Sequence, residues 1–408
     1  MKKLIKYITL SILSILALIV LFLATLSIIY STRYVYRLIR FNVADVYDYA
    51  YFNNREIEAS KNAFSFERDL DEPFAESLFH KRIKDAGFSG LTEWAEASQT
   101  TALIIIRRDT LLYEEYFNGF SRESYFHSQS MAKSFISLLI GFAIEDGYIE
   151  SVNDPMTTYM PELMERDARF GDITIRDLLM MRSGLKYREA YLPGLGIHAP
   201  WHDEAVGYYH GNVRKLLLRR VKVARDPGQT FQYCNYNTSY LGLIIERSTG
   251  KTVSEYLEEK LWSQLMEYDA LFSIDSKRSG FEYMPSRLMA RAIDYARFGR
   301  LILEEGSWNG RQIISSDWIL ESTREDTSVP REDYPEWMGQ GSERTYYNYQ
   351  WWGHTNMDGS YQFFAAGNLG QNIYILPDEE LIIVHCGMSY AHYNEEYLRD
   401  ASRVARSR

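Results

Sequence analysis

Ser130-Met131-Ala132-Lys133 sets an alcohol and an amine one helical turn apart, on the same face of a helix start. A lysine held neutral by desolvation can accept a hydroxyl proton, so this spacing can activate a serine without histidine. Spacing alone does not select the site, because Ser183-Gly184-Leu185-Lys186 and Ser248-Thr249-Gly250-Lys251 repeat it. Both of those contain glycine and neither opens a helix. Only Ser130 precedes an uninterrupted apolar-rich stretch, Ser134 to Ile144, that reads as a buried helix. A serine–lysine pair also needs a second proton-handling group, and Tyr233-Cys234-Asn235 offers one. It follows the turn Asp226-Pro227-Gly228-Gln229 and precedes the apolar run Leu241–Glu246. A phenol there can relay a proton, while the Asn235 amide orients the lysine or the substrate. Tyr-x-Asn also occurs at Tyr51, Tyr116 and Tyr346, so position rather than pattern singles out Tyr233.

These groups need a scaffold. Thr101 to Phe117 reads as a hairpin turning at Asp109-Thr110, and the Ser130 helix follows, ending at Gly147. Thr174–Leu179 has a helix cap and helical spacing, terminated by Ser183-Gly184. The stretch Tyr187–Gly211, rich in Gly, Pro, His and Trp, reads as a long irregular loop. Helices are expected at Asn212–Val223, Ser239–Thr249, Val253–Met266 and Arg287–Glu305, and a last one from about Asn394 to Arg406. Strands return at Tyr361–Ala366, Gln371–Leu376 and Leu381–Cys386. Strands at both ends with helices between imply an α/β (α+β type) fold: one antiparallel sheet built from distant segments, flanked by helices, with a helical region inserted.

The chain has 408 residues and a formal net charge of −10, ample for a large core and contrary to a nucleic-acid surface. Cys234 and Cys386 make no disulfide framework and no zinc spacing; whether they pair is open. Lys2, Lys3 and Lys6 precede an uncharged run from Ile8 to Ile29, which as a helix spans about 33 Å against about 30 Å of hydrocarbon. Ala24-Thr25-Leu26 is a poor cleavage site, so the segment reads as a retained signal-anchor rather than a cleaved signal peptide. Tyr30, Tyr34 and Tyr36 with Arg33, Arg37 and Arg40 fit an interfacial belt. Basic residues flank both ends, so charge does not orient the helix. Residues 1–40 are thus expected as membrane anchor and juxtamembrane segment, 41–94 as an acidic connector with short helical pieces, and 95–408 as the catalytic domain. His198 and His202 are spaced i, i+4, but Pro200 disfavours a helix and no third ligand is evident, so neither metal nor other cofactor is expected. Tyr187 and Glu189 either line the pocket or belong to a merely structural loop, and Trp351 and Trp352 are expected to pack the sheet rather than stack on substrate. No Gly-x-Ser-x-Gly elbow or phosphate-binding loop occurs.

Taken together, these stretches resemble the serine β-lactamase and penicillin-binding-protein superfamily, and within it the class C-like branch of family VIII esterases and 6-aminohexanoate-dimer hydrolases. The likeness is carried by Ser128–Phe135, Ile173–Leu185, Pro227-Gly228 through Asn235 to Glu246, Ala292–Gly299 and Ala366–Gln371, over roughly residues 95 to 390 in the family's order. It implies Ser130 as acylated nucleophile and Lys133 and Tyr233 as base and proton shuttle, with the base role open between them. The third family motif, usually Lys-Thr-Gly or His-x-Gly, aligns with Ala365-Ala366-Gly367: the glycine is kept and the cation is missing. The resemblance also implies an oxyanion hole from the backbone N–H groups of Ser130 and Asn368.

In penicillin-recognising members that motif binds the substrate carboxylate, and two alanines cannot donate such bonds. Each lost charge-assisted bond, roughly 1.5–3 kcal/mol, costs about ten- to a hundredfold in carboxylate recognition. The expected function is a membrane-anchored esterase or amidase on the extracytoplasmic side, acting on a small-molecule or cell-wall-derived acyl substrate. The alternatives are a β-lactam-recognising hydrolase or D,D-peptidase, and a catalytically silent binding or sensor protein of the same fold.

Overall fold

A computed structural model describes residues 2–192, 196–335, 338, 343–389 and 396–407. In chain order the strands are β1 (Asn53–Ile57), β2 (Glu67–Arg68), β3 (Thr100–Arg107), β4 (Thr110–Tyr116), β5 (Phe126–His127), β6 (Ala270–Ile274), β7 (Leu288–Ala290), β8 (Ser307–Trp308), β9 (Arg311–Gln312), β10 (Glu343–Asn348), β11 (Trp351–Asn356), β12 (Tyr361–Gly367), β13 (Gln371–Leu376) and β14 (Leu381–Gly387). The main sheet runs β10-β11-β12-β13-β14-β3-β4-β2. Its pairs are antiparallel except for the short β2–β4 contact. The C-terminal strands therefore close onto the early hairpin through β14–β3, as the strand runs at the two ends of the sequence imply. Arg108 and Asp109, both at positive φ, form the hairpin turn, whose mirror-image geometry matches the strand twist.

Side-chain alternation divides the core. Ala102, Ile104 and Ile106 of β3, with Ile382, Val384 and Cys386 of β14, face the larger cluster; Leu103, Ile105, Leu381 and Ile383 face the other. The helices are α1 (Lys2–Ile29), α2 (Thr32–Phe41), α3 (Glu72–Asp85), α4 (Leu91–Ala97), α5 (Ala132–Glu145), α6 (Ile175–Leu179), α7 (Asp203–Tyr209), α8 (Val213–Arg219), α9 (Asn235–Thr249), α10 (Val253–Leu257), α11 (Ser263–Leu265), α12 (Ala292–Leu303), α13 (Ser316–Thr323) and α14 (Glu396–Arg406). α3, α4 and α14 cover one face, where Phe79 stacks on Trp94 at 5.4 Å. α12 lies on the other at close range: a Cβ on Gly299 would meet Ile382 at 2.9 Å and Ile373 at 3.0 Å. The inserted helical region, with α6 to α10, packs beyond α5 and α12 in the same large cluster.

Several elements depart from the local sequence pattern. The expected helix Arg287–Glu305 divides into β7 and α12, because β7 is hydrogen-bonded on one side to β5 and on the other to β6. The stretch Tyr187–Gly211 contains α7 rather than remaining irregular throughout. Residues 41–94 are woven into the body: β1 pairs with β6, β2 with β4, and α3 and α4 bury Phe74, Leu78, Phe79 and Trp94. Tyr34 and Arg37, expected at a lipid interface, are buried in protein instead. The Tyr34 hydroxyl donates to the Pro200 carbonyl at 2.6 Å, and the Arg37 guanidinium to the Asp275 carbonyl at 2.9 Å. Both cysteines are buried free thiols.

Candidate active site

The site is assembled where α5 meets the end of β12. Residues Gln129–Met131 form a short 3₁₀ turn that runs directly into α5. Gln129 takes φ 45°, a left-handed conformation uncommon for a residue with a side chain. Its amide donates to His127 Nδ1 at 3.0 Å, and burial pushes the His127 imidazole down to about 3, keeping it neutral and able to accept. The Ser128 amide donates to the Leu288 carbonyl at 2.8 Å, pinning the turn to β7. Ser130 is left half-buried at the mouth of this turn.

Lys133 is 1% exposed. Its Nζ donates to Ser130 Oγ at 2.8 Å and to the Pro285 carbonyl at 2.9 Å. Burial pushes the amine down to about 7, while the Glu204 carboxylate and Cys234 pull it back up. A substantial fraction is thus unprotonated at neutral pH, within hydrogen-bond distance of the serine hydroxyl. The ring of Tyr233 lies beside it, its centroid 4.8 Å from Nζ. Tyr233 is held by a stacked Trp352 at 5.7 Å and an edge-on Tyr347 at 5.9 Å. Trp352 therefore abuts the site, whereas Trp351 is the sheet-packing residue, stacked on Phe298 at 5.8 Å. Asn235 opens α9, and its Oδ1 is buried with no hydrogen-bond partner among the described residues, leaving an acceptor open.

Gly367 ends β12 against the turn that carries Ser130. A Cβ there would come within 2.6 Å of the Ser128 carbonyl oxygen and 2.8 Å of the Ser130 nitrogen, so only glycine lets the strand approach this closely. The peptide joining Gly367 to half-buried Asn368 thereby lies next to the Ser130 amide. Ala365, buried, and Ala366, half-buried, stand just before it and offer no side-chain hydrogen-bond donor.

One wall was not legible in the sequence. Glu204, in the first turn of α7, is half-buried and close enough to Lys133 for each charge to act on the other. Burial raises its carboxyl above the ordinary range. Tyr187 is also half-buried beside this carboxylate, its ring edge-on to Tyr236 at 5.4 Å, while Glu189 is exposed. The only local signal for Glu204 is the polar triplet His202-Asp203-Glu204 inside a stretch that reads as loop. Glu204 also supplies the third group absent from the sequence reading of His198 and His202: one ligand atom of each lies within 4.8 Å of the others. His202 Nδ1, however, accepts from the Glu204 amide at 3.2 Å, capping α7. The neutral ring then carries its proton on Nε2 and offers no free lone pair there, so this trio fits a loop-ordering cluster better than a metal centre.

A serine at the start of a helix, hydrogen-bonded to a buried lysine, beside an antiparallel sheet in which the glycine ending β12 abuts the serine amide, matches a serine-hydrolase site of the β-lactamase fold. The chain belongs to the Beta-lactamase family, whose model matches residues 83–403. It is 28% identical over 304 residues to the 6-aminohexanoate-dimer hydrolase of Paenarthrobacter ureafaciens, covering 72% of this chain and 74% of that protein. Among solved structures it is similar to one from Bacillus anthracis described as "Putative 6-aminohexanoate-dimer hydrolase", with TM-score 0.67, 24% identity, and 87% and 92% of the two chains covered. It is also similar to EstCE1, described as a hydrolase with promiscuous acyltransferase activity, with TM-score 0.60, 15% identity, and 81% and 99% covered. At these identities the two structural likenesses speak for the fold alone.

Proposed function

We propose that this protein is a membrane-anchored serine hydrolase that cleaves an ester or amide through a Ser130 acyl-enzyme. The observation that carries this reading is the Lys133 amine, buried, 2.8 Å from Ser130 Oγ and pushed down to about 7. Ser130 Oγ bonds to the substrate carbonyl carbon as its proton passes to neutral Lys133, and the carbonyl electrons move onto oxygen between the N–H groups of Ser130 and Asn368. Collapse of this intermediate expels the alcohol or amine, protonated through Lys133 and Tyr233. Water then attacks the acyl carbon with the same groups acting in reverse, releasing the acid and free Ser130. Asn235 holds the substrate or Lys133 through its open acceptor, and Gly367 keeps the strand end close enough to complete the oxyanion site.

Likeness to a 6-aminohexanoate-dimer hydrolase supports an amide among the substrates. Ala365 and Ala366 favour acyl groups without the carboxylate that penicillin-recognising enzymes bind. α1 is long and apolar enough to cross a membrane, and a signal sequence would pass the same test. In this reading α1 is retained as the anchor and the catalytic body faces the extracytoplasmic side, where small or cell-wall-derived acyl compounds reach it. The test is intact-mass spectrometry of the full chain in detergent after a fluorophosphonate and, separately, after penicillin G. One fluorophosphonate adduct, absent in Ser130→Ala, with no penicillin adduct, is expected. A penicillin adduct would return the protein to β-lactam recognition. No adduct with either reagent on folded protein would sink the hydrolase reading in favour of a silent binding role.

A further inference from the structure

Where α1 leaves for the catalytic body, a cleft of about 850 Å³ opens between residues 27–31 and α8. Arg33, Lys215, Arg219, Arg220 and Arg278 line it, and no carboxylate does. All five are exposed, and none has an ion-pair partner among the described residues. Their neighbours behave differently: Arg188 is paired with Asp203 and Arg214 with Glu246. In a chain of net charge −10, five unpaired cations around one cleft are a local reversal of the overall field. Lys215 and Arg219 sit one turn apart on α8, opposite the side on which Val213 and Leu217 are buried. The Arg220 guanidinium lies 5.6 Å from the centre of the Tyr30 ring, which marks the end of the apolar helix.

We infer that this cleft seats the anionic phospholipid headgroups of the bilayer that α1 crosses, giving the catalytic body a second attachment to the membrane surface. The inference rests on the membrane-anchor reading above. Three features converge on that occupant. The cleft wall formed by Ser27, Ile28, Ile29 and Tyr30 lies where an apolar helix of this length emerges from hydrocarbon, the depth of lipid phosphates. Arginine forks and lysine ammonium groups match phosphodiester oxygens. The tether also holds the cleft at the surface, so weak individual contacts act at high effective concentration.

The experiment reconstitutes the full chain with equal amounts of phosphatidylglycerol and phosphatidylcholine and reads retained lipid by native mass spectrometry. Wild type should retain phosphatidylglycerol over phosphatidylcholine by about fivefold or more, and raised salt should erase the preference. The triple variant Lys215→Ser/Arg219→Ser/Arg220→Ser should fall to parity, while Arg219→Lys/Arg220→Lys, which keeps the charges, should retain most of it. Ser130 labelling by fluorophosphonate should be unchanged in both, certifying the fold. Equal retention of the two lipids by wild type, a preference surviving in the serine variant, or loss of the lipid to millimolar inorganic phosphate would each overturn the inference. Flotation of wild type with pure phosphatidylcholine vesicles reads the anchor separately. Floating protein without headgroup preference leaves the anchor standing and removes only the cleft, whereas protein that does not float removes both.

Discussion

The chemistry of single residues turns on one proton at Lys133. As an ammonium, Lys133 only donates to Ser130; as an amine it can take the serine proton. With burial setting its ionisation at about 7, the rate of fluorophosphonate labelling at Ser130 should rise about tenfold per pH unit below that point and level off above it. Glu204 acts against burial by favouring the charged amine. Glu204→Gln removes that attraction, so the rising limb should move to lower pH and labelling at about pH 6 should gain severalfold. A limb that stays in place would show that Glu204 does not act on Lys133. The Ser–Lys spacing behind this was visible in the sequence. The depressed amine was not, because it comes from burial by segments brought together across the fold, opposed by groups at Glu204 and Cys234 that stand more than seventy positions away in the chain.

Among the elements, the contact that matters most joins the end of β12 to the turn before α5. Gly367→Ala would press a methyl group onto the Ser128 carbonyl and the Ser130 amide, both backbone atoms that cannot rotate away. A shift of about 1 Å in a reacting group typically costs on the order of a hundredfold in rate, and labelling at Ser130 should fall by at least that much. Gly90→Ala is the control, since a Cβ there meets nothing within 4 Å. Equal labelling rates in the two variants would refute the close-approach argument. The glycine and its motif were recognisable by resemblance, but its reason, a backbone packed against a backbone, is a fact of the fold. The same holds for α2. Its tyrosines and arginines look interfacial in sequence, yet Tyr34, Val35, Arg37 and Leu38 are buried against the body, through Pro200 and Asp275 among others.

For the whole molecule, the site is a cost carried by the core. Lys133 is neutral when folded above about pH 7 but charged when unfolded up to its ordinary pKa of 10.5. Unfolding therefore takes up a proton across that window, and the contribution of this group makes stability rise with pH from about 7 toward 10, by at most about 1.4 kcal/mol per unit. Below about pH 7 both states are protonated and the penalty is at its full size. Lys133→Met should flatten the slope and stabilise the protein more at about pH 6 than at pH 9, while abolishing Ser130 labelling. Urea unfolding at the two pH values measures it, and an unchanged slope would mean that Lys133 is not held neutral in the fold.

The sequence by itself determined what near neighbours in the chain can encode. Alternating apolar residues and a tight turn specified the hairpin of β3 and β4; a threonine cap with its aspartate three residues on specified α6. The spacing of Ser130 and Lys133 at the head of an apolar run specified α5 and the turn before it. Tertiary structure alone decided the rest, through interactions between segments far apart in sequence. Pairing on both edges turned Leu288–Ala290 from expected helix into strand. Packing against Tyr233 drew Trp352 to the site while Trp351 went into the core, and the start of α7 brought Glu204 toward Lys133. Backbone propensity and periodicity act over a few residues, whereas desolvation, charge and strand pairing depend on whatever the fold brings within a few ångströms.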